Sequence, residues 1–123
     1  MLIVKEPLLS VLQAALYVVK WEGEDDDSSR VAELAGSPYF AELHHRVVDE
    51  LISLEADKPP LVQKWNRWRA IEERPEHLER TKKRIRETTL WKTWSMEEKR
   101  EWVEILLSPF WATAPTLDDL LSM

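Results

Sequence analysis

Glycine is nearly absent from this chain: two glycines occur in 123 residues, against seven prolines. Glycine is the residue that tight turns between strands use most, because it adopts backbone conformations that other residues avoid. Leucine and glutamate are abundant in the sequence, and both favour helices. The composition therefore predicts an all-α fold and argues against a sheet with many turns.

Apolar residues recur at helical spacing between the prolines, which predicts a single compact bundle of about five main helices plus one or two short ones. The predicted segments are Pro7 to near Trp21, Arg30 to Ala35, Ser37 to about Ala56, Leu61 to Glu73, a polar stretch from Glu76 to Thr93, Ser95 to Ser108, and a last short turn capped at Thr116. Pro75 either bends the chain or begins a helix. The one strand signal is Leu2 to Val4. The length suits one domain over residues 1–123, with an acidic loop at 22–29.

Two serines mark predicted helix starts. Ser37 precedes Pro38, which combines an N-cap residue with a proline in the first turn. Ser95 is followed three residues later by Glu98, the spacing of a capping box. Both patterns predict where a helix begins independently of the apolar spacing.

The chain lacks the residues that many catalytic and cofactor sites require. The absence of cysteine excludes disulfides, zinc–thiolate sites, iron–sulfur clusters and a cysteine nucleophile, and two glycines cannot supply a phosphate-binding loop. Glu42 and His45 have the E-x-x-H spacing of di-metal helical bundles, but the second E-x-x-H and the further glutamates are missing. We expect His44 and His45 to be partly exposed, and we expect no enzyme activity, no cofactor and no metal site.

The sequence contains no apolar run of about 18 residues, the length that a membrane-spanning helix needs. The first residues do not have the pattern of a secretory signal peptide. Together with the lack of cysteine, these features predict a cytoplasmic protein, or one in the host cytoplasm if the gene is viral or carried by a phage.

The formal net charge of −6 hides a segregation along the chain. Residues 1–60 carry a balance of −7, residues 61–100 a balance of +5, and residues 101–123 a balance of −4. The basic balance thus coincides with a tryptophan-containing segment, residues 61–100. Such asymmetry indicates something about partners and nothing about the fold.

The densest basic run extends from Arg80 to Arg86. On a helix it covers most of the circumference, because consecutive residues cannot share one face. Three interpretations stay open: contact with nucleic-acid phosphates, pairing with the acidic residues Glu24 to Asp27 within the chain or across a dimer, or an ordinary solvated face.

Four of the seven tryptophans form two W-x-x-W pairs with cations beside them. Trp65 and Trp68 form one pair, and Trp91 and Trp94 form the other. Trp65, Trp68 and Trp102 fall on predicted apolar faces and are expected in the core, whereas Trp91 and Trp94 are the better candidates for exposure. The position of Trp111 stays open between covering the core and meeting a partner.

These features favour a small non-enzymatic protein–protein interaction module, such as an adaptor, an inhibitor or an assembly subunit. The candidate partner-binding residues are Lys64, Arg67, Arg69, Lys82, Lys83, Arg84, Arg86, Trp91, Lys92, Trp94 and Trp111. The alternative is nucleic-acid binding through residues 64–94, against which the net acidity argues. Self-association is a further alternative, and mimicry of a nucleic acid by the acidic clusters 22–27 and 118–119 is a minor one.

Overall fold

The computed structural model describes residues 5–23 and 30–123, and it is all-α, as the composition predicts. The α-helices in these residues are α1 (Leu8–Tyr17), α2 (Arg30–Ala35), α3 (Pro38–Leu54), α4 (Pro59–Trp68), α5 (Pro75–Arg86), α6 (Met96–Leu107) and α7 (Ala114–Leu121). A π-helical turn, Val18–Glu22, continues α1, and two 3₁₀ turns lie at Ile71–Glu73 and Trp91–Thr93. The strand signal at Leu2 to Val4 and residues 24–29 of the predicted acidic loop lie outside the described residues.

The chain divides into two compact units, Met1–Gln63 and Lys64–Met123, and the division falls within α4. In the first unit, α1 packs against α3, and α2 contacts both α3 and the π-helical turn. The buried apolar side chains of this unit are Leu9, Leu16, Trp21, Ala35, Ala41, Val47, Val48 and Leu51. The apolar spacing predicts these inward faces only in part, because Leu8 in α1 and both Leu43 and Leu54 in α3 fall on the predicted faces but are exposed.

Gly23 ends the π-helical turn at a point where the backbone passes very close to α2. A Cβ atom at this position would lie 2.8 Å from the Val19 carbonyl oxygen and 2.9 Å from a methyl carbon of Val31. Both distances are shorter than a normal van der Waals contact, so only a residue without a side chain fits here.

In the second unit, α6 packs against both α5 and α7. The buried apolar side chains of the second unit are Ile71, Ile85, Trp91, Val103, Leu106, Leu107, Phe110, Leu120 and Leu121. The predicted capping box is confirmed: the Glu98 amide donates to the Ser95 hydroxyl, and the Ser95 amide donates to the Glu98 carboxylate, each at 3.2 Å. Ser37 likewise accepts from the Phe40 amide and caps α3.

The prediction of one helix from Leu61 to Glu73 is wrong, because α4 ends at Trp68. The backbone then turns extended and forms an isolated parallel bridge between Ala70 and Trp111. The Trp111 amide donates to the Arg69 carbonyl at 2.7 Å, and the Ile71 amide donates to the Trp111 carbonyl at 3.0 Å. These bonds replace the helical ones that a longer α4 would make.

One boundary that the sequence left open is decided, and two other predicted boundaries shift. Pro75 begins α5, and this helix ends at Arg86, so the polar stretch to Thr93 is not one helix. The last short turn is an eight-residue helix that begins before Thr116, with Thr113 in the N-cap position. Among the helices of the described residues, none combines the length and the apolar character that crossing a membrane requires.

Candidate interaction surface

Trp65 and Trp68 belong to an aromatic cluster at the end of α4. Their rings meet edge to face with the ring centres 5.3 Å apart, and the ring centres of Trp68 and Phe110 are 5.0 Å apart. Both indoles are half-buried, so the expectation that they pack inward is met only partly. Edge-to-face contacts of this kind add to the stabilisation that burial provides.

Two basic side chains complete this cluster. The Arg74 guanidinium lies 5.1 Å from the Trp68 ring and 4.9 Å from the Phe110 ring, and its Nε donates to the Trp68 carbonyl at 3.0 Å. The imidazole of His77 lies 5.5 Å from the Phe110 ring. Burial lowers the pKa of His77 below its ordinary value of 6.5, and the neighbouring Arg74 guanidinium lowers it further.

Trp91, Trp94 and Trp102 form a second cluster. The ring centre of Trp94 lies 6.5 Å from that of Trp91 and 5.8 Å from that of Trp102. The Trp91 indole N–H donates to the Met123 carbonyl at 2.8 Å, and the Trp102 indole N–H donates to the Thr88 hydroxyl at 3.1 Å. These bonds attach the two indoles to backbone and side-chain groups of the same unit.

The expectation that Trp91 is exposed is therefore wrong. Only 4% of its surface is exposed, because its ring is packed against Trp94, covered on one face by Lys99 at 5.1 Å, and bonded to Met123. Trp94 is half-buried. The sequence contains no local signal for this arrangement, since Met123 lies 32 residues further along the chain.

Arg69 must also be removed from the exposed candidates, because only 1% of its surface is exposed. Its Nε donates to the Pro109 carbonyl at 3.0 Å, and its guanidinium carbon lies 3.8 Å from the centre of the Trp111 ring. A buried guanidinium needs such partners, since desolvation without them is costly. Arg69 therefore supports Trp111 from the inside and is not itself a contact residue on the surface.

Trp111 is 52% exposed, although three contacts fix it in place. Its amide and carbonyl groups form the two bonds of the bridge to Arg69 and Ile71, and its ring rests on the Arg69 guanidinium. Trp111 thus covers the buried Arg69 guanidinium with one side of its ring, and about half of the residue lies at the surface of this unit.

Arg84 is the third candidate, after Trp91 and Arg69, that burial removes from the surface. It lies on the inward face of α5 with Thr81 and Ile85, since the basic run covers most of the circumference of the helix. Lys82 pairs with Glu79 within α5 at 3.3 Å, and Lys83 pairs at 3.8 Å with Glu87, the residue that follows the helix. Such exposed pairs contribute little to stability.

The remaining candidates lie at the surface or close to it. Lys64 and Arg67 are exposed one turn apart on α4, shortly before Arg69. The residues exposed elsewhere are Lys83, Arg86 and Lys92, while Lys82 is half-buried. Two pairs of candidates contact each other in the structure: Arg69 contacts Trp111, and Trp91 contacts Trp94.

The histidines do not form a metal centre with the acidic residues that the structure describes. No group of three or more potential ligands lies together within residues 5–23 and 30–123. His44 is completely buried, contrary to expectation, and its Nε2 lies 2.7 Å from the Gln13 side-chain oxygen. His45 is half-buried. The histidine of the E-x-x-H pattern, His45, is therefore the more exposed of the two neighbouring histidines, and the buried one, His44, is an intervening residue of the pattern.

Comparison with known proteins does not assign the chain to a family. No family model, no curated protein and no solved structure matches it.

Proposed function

We propose that this chain is a small, non-enzymatic protein–protein interaction module that contacts its partner through Trp111 and the exposed cations of residues 64–94. The observation that carries the proposal is the combination of exposure and fixation at Trp111. Tryptophan is enriched among the residues that dominate binding energies at protein interfaces. A large indole that is half exposed in the free chain fits that role.

Fixation matters because binding costs less when the contact residue is already ordered. The two backbone bonds and the Arg69 stack hold the Trp111 ring in one position. Arg69 is held in turn by the Pro109 carbonyl. The indole is therefore presented without an ordering cost at the moment of association.

The exposed cations indicate the chemistry of the partner. Lys64, Arg67, Lys83, Arg86 and Lys92 are exposed, and we propose that they provide the basic part of the candidate surface. We infer a partner protein with an apolar pocket for the indole and acidic side chains near its edge. An adaptor, an inhibitor or an assembly subunit, encoded by a phage or mobile element, fits this description, and we propose a cytoplasmic location for it.

The test is affinity capture followed by a binding measurement. The 123-residue chain, its Trp111→Ala variant and a Leu90→Ala control are used as baits, and the captured proteins are quantified by mass spectrometry. A captured protein is then purified and titrated by calorimetry. We expect Trp111→Ala to weaken its binding by about 30-fold or more, and Leu90→Ala to leave it unchanged. Equal binding of every captured protein to all three baits would refute the proposal.

Nucleic-acid binding through residues 64–94 is the second candidate, and the exposed cations favour it too. It predicts an affinity for duplex DNA or single-stranded RNA that falls steeply with salt. The double variant Lys83→Ala/Arg86→Ala would then reduce the salt slope by about two. Absence of binding at low salt removes this candidate. Mimicry of a nucleic acid by acidic residues is a minor candidate. Asp118 and Asp119, which it would use, are exposed on α7, whereas Glu24 to Asp27 lie outside the described residues.

A further inference from the structure

A cavity of about 450 Å³ lies between the first turns of α6 and the end of α7, within the second unit. Its volume falls in the range of pockets that bind small molecules. Neither Trp111 nor the two aromatic clusters contribute to its walls. The residues that line it are Met96, Glu97, Arg100, Asp118, Leu121 and Ser122.

Helical spacing brings these residues to the cavity. Met96 and Arg100 are four residues apart and share one face of α6, and Asp118 and Leu121 are three residues apart and share one face of α7. Leu121 is buried, whereas Met96 is 59% exposed. Apolar surface therefore extends from the inner part of the cavity to its outer edge, with charged side chains beside it.

The three charged side chains of the lining are available to a ligand. Glu97 and Arg100 are three residues apart, a spacing at which Arg30 and Glu33 form an ion pair at 4.0 Å. Glu97 and Arg100 form no such pair. Within residues 5–23 and 30–123, no side-chain hydrogen bond or ion pair engages the charged groups of Glu97, Arg100 and Asp118. Two carboxylates and one guanidinium thus line one cavity without neutralising each other.

This set of charges defines the ligand that complements it. The planar guanidinium of Arg100 matches the geometry of a carboxylate, and the carboxylates of Glu97 and Asp118 accept hydrogen bonds from ammonium groups. The C-terminal end of α7 lies at the cavity and adds a partial negative charge, which also favours a cation. The complementary molecule therefore has one carboxylate, two cationic groups and an aliphatic part.

We propose that this cavity binds a free basic α-amino acid of the lysine type. Its carboxylate would pair with Arg100, its two ammonium groups with Glu97 and Asp118, and its methylene chain would lie against Met96 and Leu121. A diamine lacks the carboxylate and leaves Arg100 without a counter-charge, and an acidic amino acid places like charges together. The proposal shares no residue with the contact at Trp111, so either can fail without the other.

An NMR titration of the 123-residue chain with L-lysine, at neutral pH and constant ionic strength, tests the proposal. We expect saturable shifts of the backbone amides of Arg100 and Leu121, with a dissociation constant of about 1–10 mM for a ligand of this size. Absence of saturable shifts at these residues up to about 50 mM lysine would overturn the proposal.

Three analogues each remove one charge from the ligand. Norleucine lacks the side-chain ammonium, cadaverine lacks the carboxylate, and Nα-acetyl-lysine lacks the α-ammonium. Each should bind about fivefold more weakly than lysine or worse, the upper range of one exposed ion pair. Cadaverine binding as tightly as lysine would show that the carboxylate is not recognised and would overturn the proposal. Equal binding of Nα-acetyl-lysine would assign the cavity to the C-terminal lysine of a polypeptide and not to a free amino acid.

Variants of the chain identify the groups that do the binding. Asp118→Asn should weaken lysine binding about fivefold, and Asp119→Asn is the matched control, because this neighbouring acid is exposed but does not line the cavity. The control should change the constant less than twofold. Equal effects of the two variants would show that net charge, and not the cavity, attracts lysine.

Arg100→Ala gives a signature that a structural role would not produce. It should weaken lysine binding and leave cadaverine binding unchanged or tighter, because only lysine has the carboxylate that Arg100 recognises. Circular dichroism establishes that each variant is folded, and Arg100→Gln replaces Arg100→Ala if the latter does not fold. Equal weakening of lysine and cadaverine by the substitution would contradict the role of Arg100.

Discussion

Trp91 and Trp111 look alike in sequence but occupy opposite situations in the second unit. Each has a cation over one face of its ring: Lys99 at 5.1 Å for Trp91, and Arg69 at 3.8 Å for Trp111. Each is also held by a hydrogen bond to a distant part of the chain. Yet 4% of Trp91 is exposed and 52% of Trp111.

The difference lies in which group makes the distant bond. Trp91 uses its indole N–H, which draws the ring itself against the Met123 carbonyl. Trp111 uses its backbone amide and carbonyl, which fix the chain and leave the outer face of the ring at the surface. A tryptophan next to cations is therefore a core residue or a surface residue according to whether the ring or the backbone is anchored.

The largest expected effect is on the buried tryptophan. Trp91→Ala removes a buried ring and its contact with Trp94, and it leaves the Met123 carbonyl without its donor. We expect the free energy of unfolding to fall by about 3–5 kcal/mol. Urea denaturation followed by far-ultraviolet circular dichroism measures it.

Two matched variants define what that loss means. Leu106→Ala, at an apolar core position of α6, should cost about 2–5 kcal/mol and calibrates the unit. Trp91→Phe retains most of the ring but removes the N–H donor, and it should cost about 1–3 kcal/mol. A change below about 1 kcal/mol in Trp91→Ala would contradict the assignment of this residue to the core.

The second effect concerns the support beneath Trp111. Arg69→Ala leaves the Pro109 carbonyl without its donor and removes the stack under the indole. We expect a loss of about 2–3 kcal/mol in unfolding free energy and a broadened indole N–H resonance for Trp111 in NMR spectra. Arg69→Lys should not restore either property, because an ammonium lacks the planar guanidinium.

Arg67→Ala is the control for this experiment. Arg67 lies two residues earlier and is exposed, so its replacement should change stability by less than about 0.5 kcal/mol. Equal effects of Arg67→Ala and Arg69→Ala would show that the charge balance of the segment matters and the buried stack does not.

A pH effect is expected at His77, which contacts Phe110 next to Trp111. Its pKa is lowered in the folded chain, so the unfolded chain binds the proton more readily. The folded state therefore keeps this contribution above the ordinary pKa of 6.5 and loses it as the pH falls through 6.5 towards the folded value. His77→Gln should flatten this part of the stability profile between about pH 7 and pH 5. An identical slope in both proteins would exclude His77 as its source.

The local features of this fold were predictable from local sequence. The Ser95–Glu98 capping box, the Ser37 cap and the inward face of α6 depend on residues a few positions apart. Helix propensity and periodicity act over the same short range, which is why the all-α class was identifiable.

The features that decide the candidate surface were not predictable in the same way. Three buried residues each have a partner far along the chain. Arg69 bonds to Pro109, 40 residues away, and Trp91 bonds to Met123, 32 residues away. His44 lies against Gln13, 31 residues away. The end of α4 depends equally on its bridge to Trp111. One signal pointed in the right direction: a run of basic residues around a helix requires that one of them face inward, as Arg84 does.

The smallest effect on stability is expected at Trp111, where the comparison is sharpest. Trp111→Ala keeps both backbone bonds of the bridge and removes a half-exposed ring that covers the buried Arg69 guanidinium, so unfolding free energy should fall by about 1–2 kcal/mol, between the contributions of an exposed and a desolvated cation–π contact. Urea denaturation of Trp111→Ala and Trp91→Ala under the same conditions compares the two losses of unfolding free energy directly. A loss as large as that of Trp91→Ala would mean that Trp111 is a structural residue whose exposure is incidental. A small loss, together with the loss of partner binding expected above, would mean that the chain places this indole at its surface for contact with another molecule.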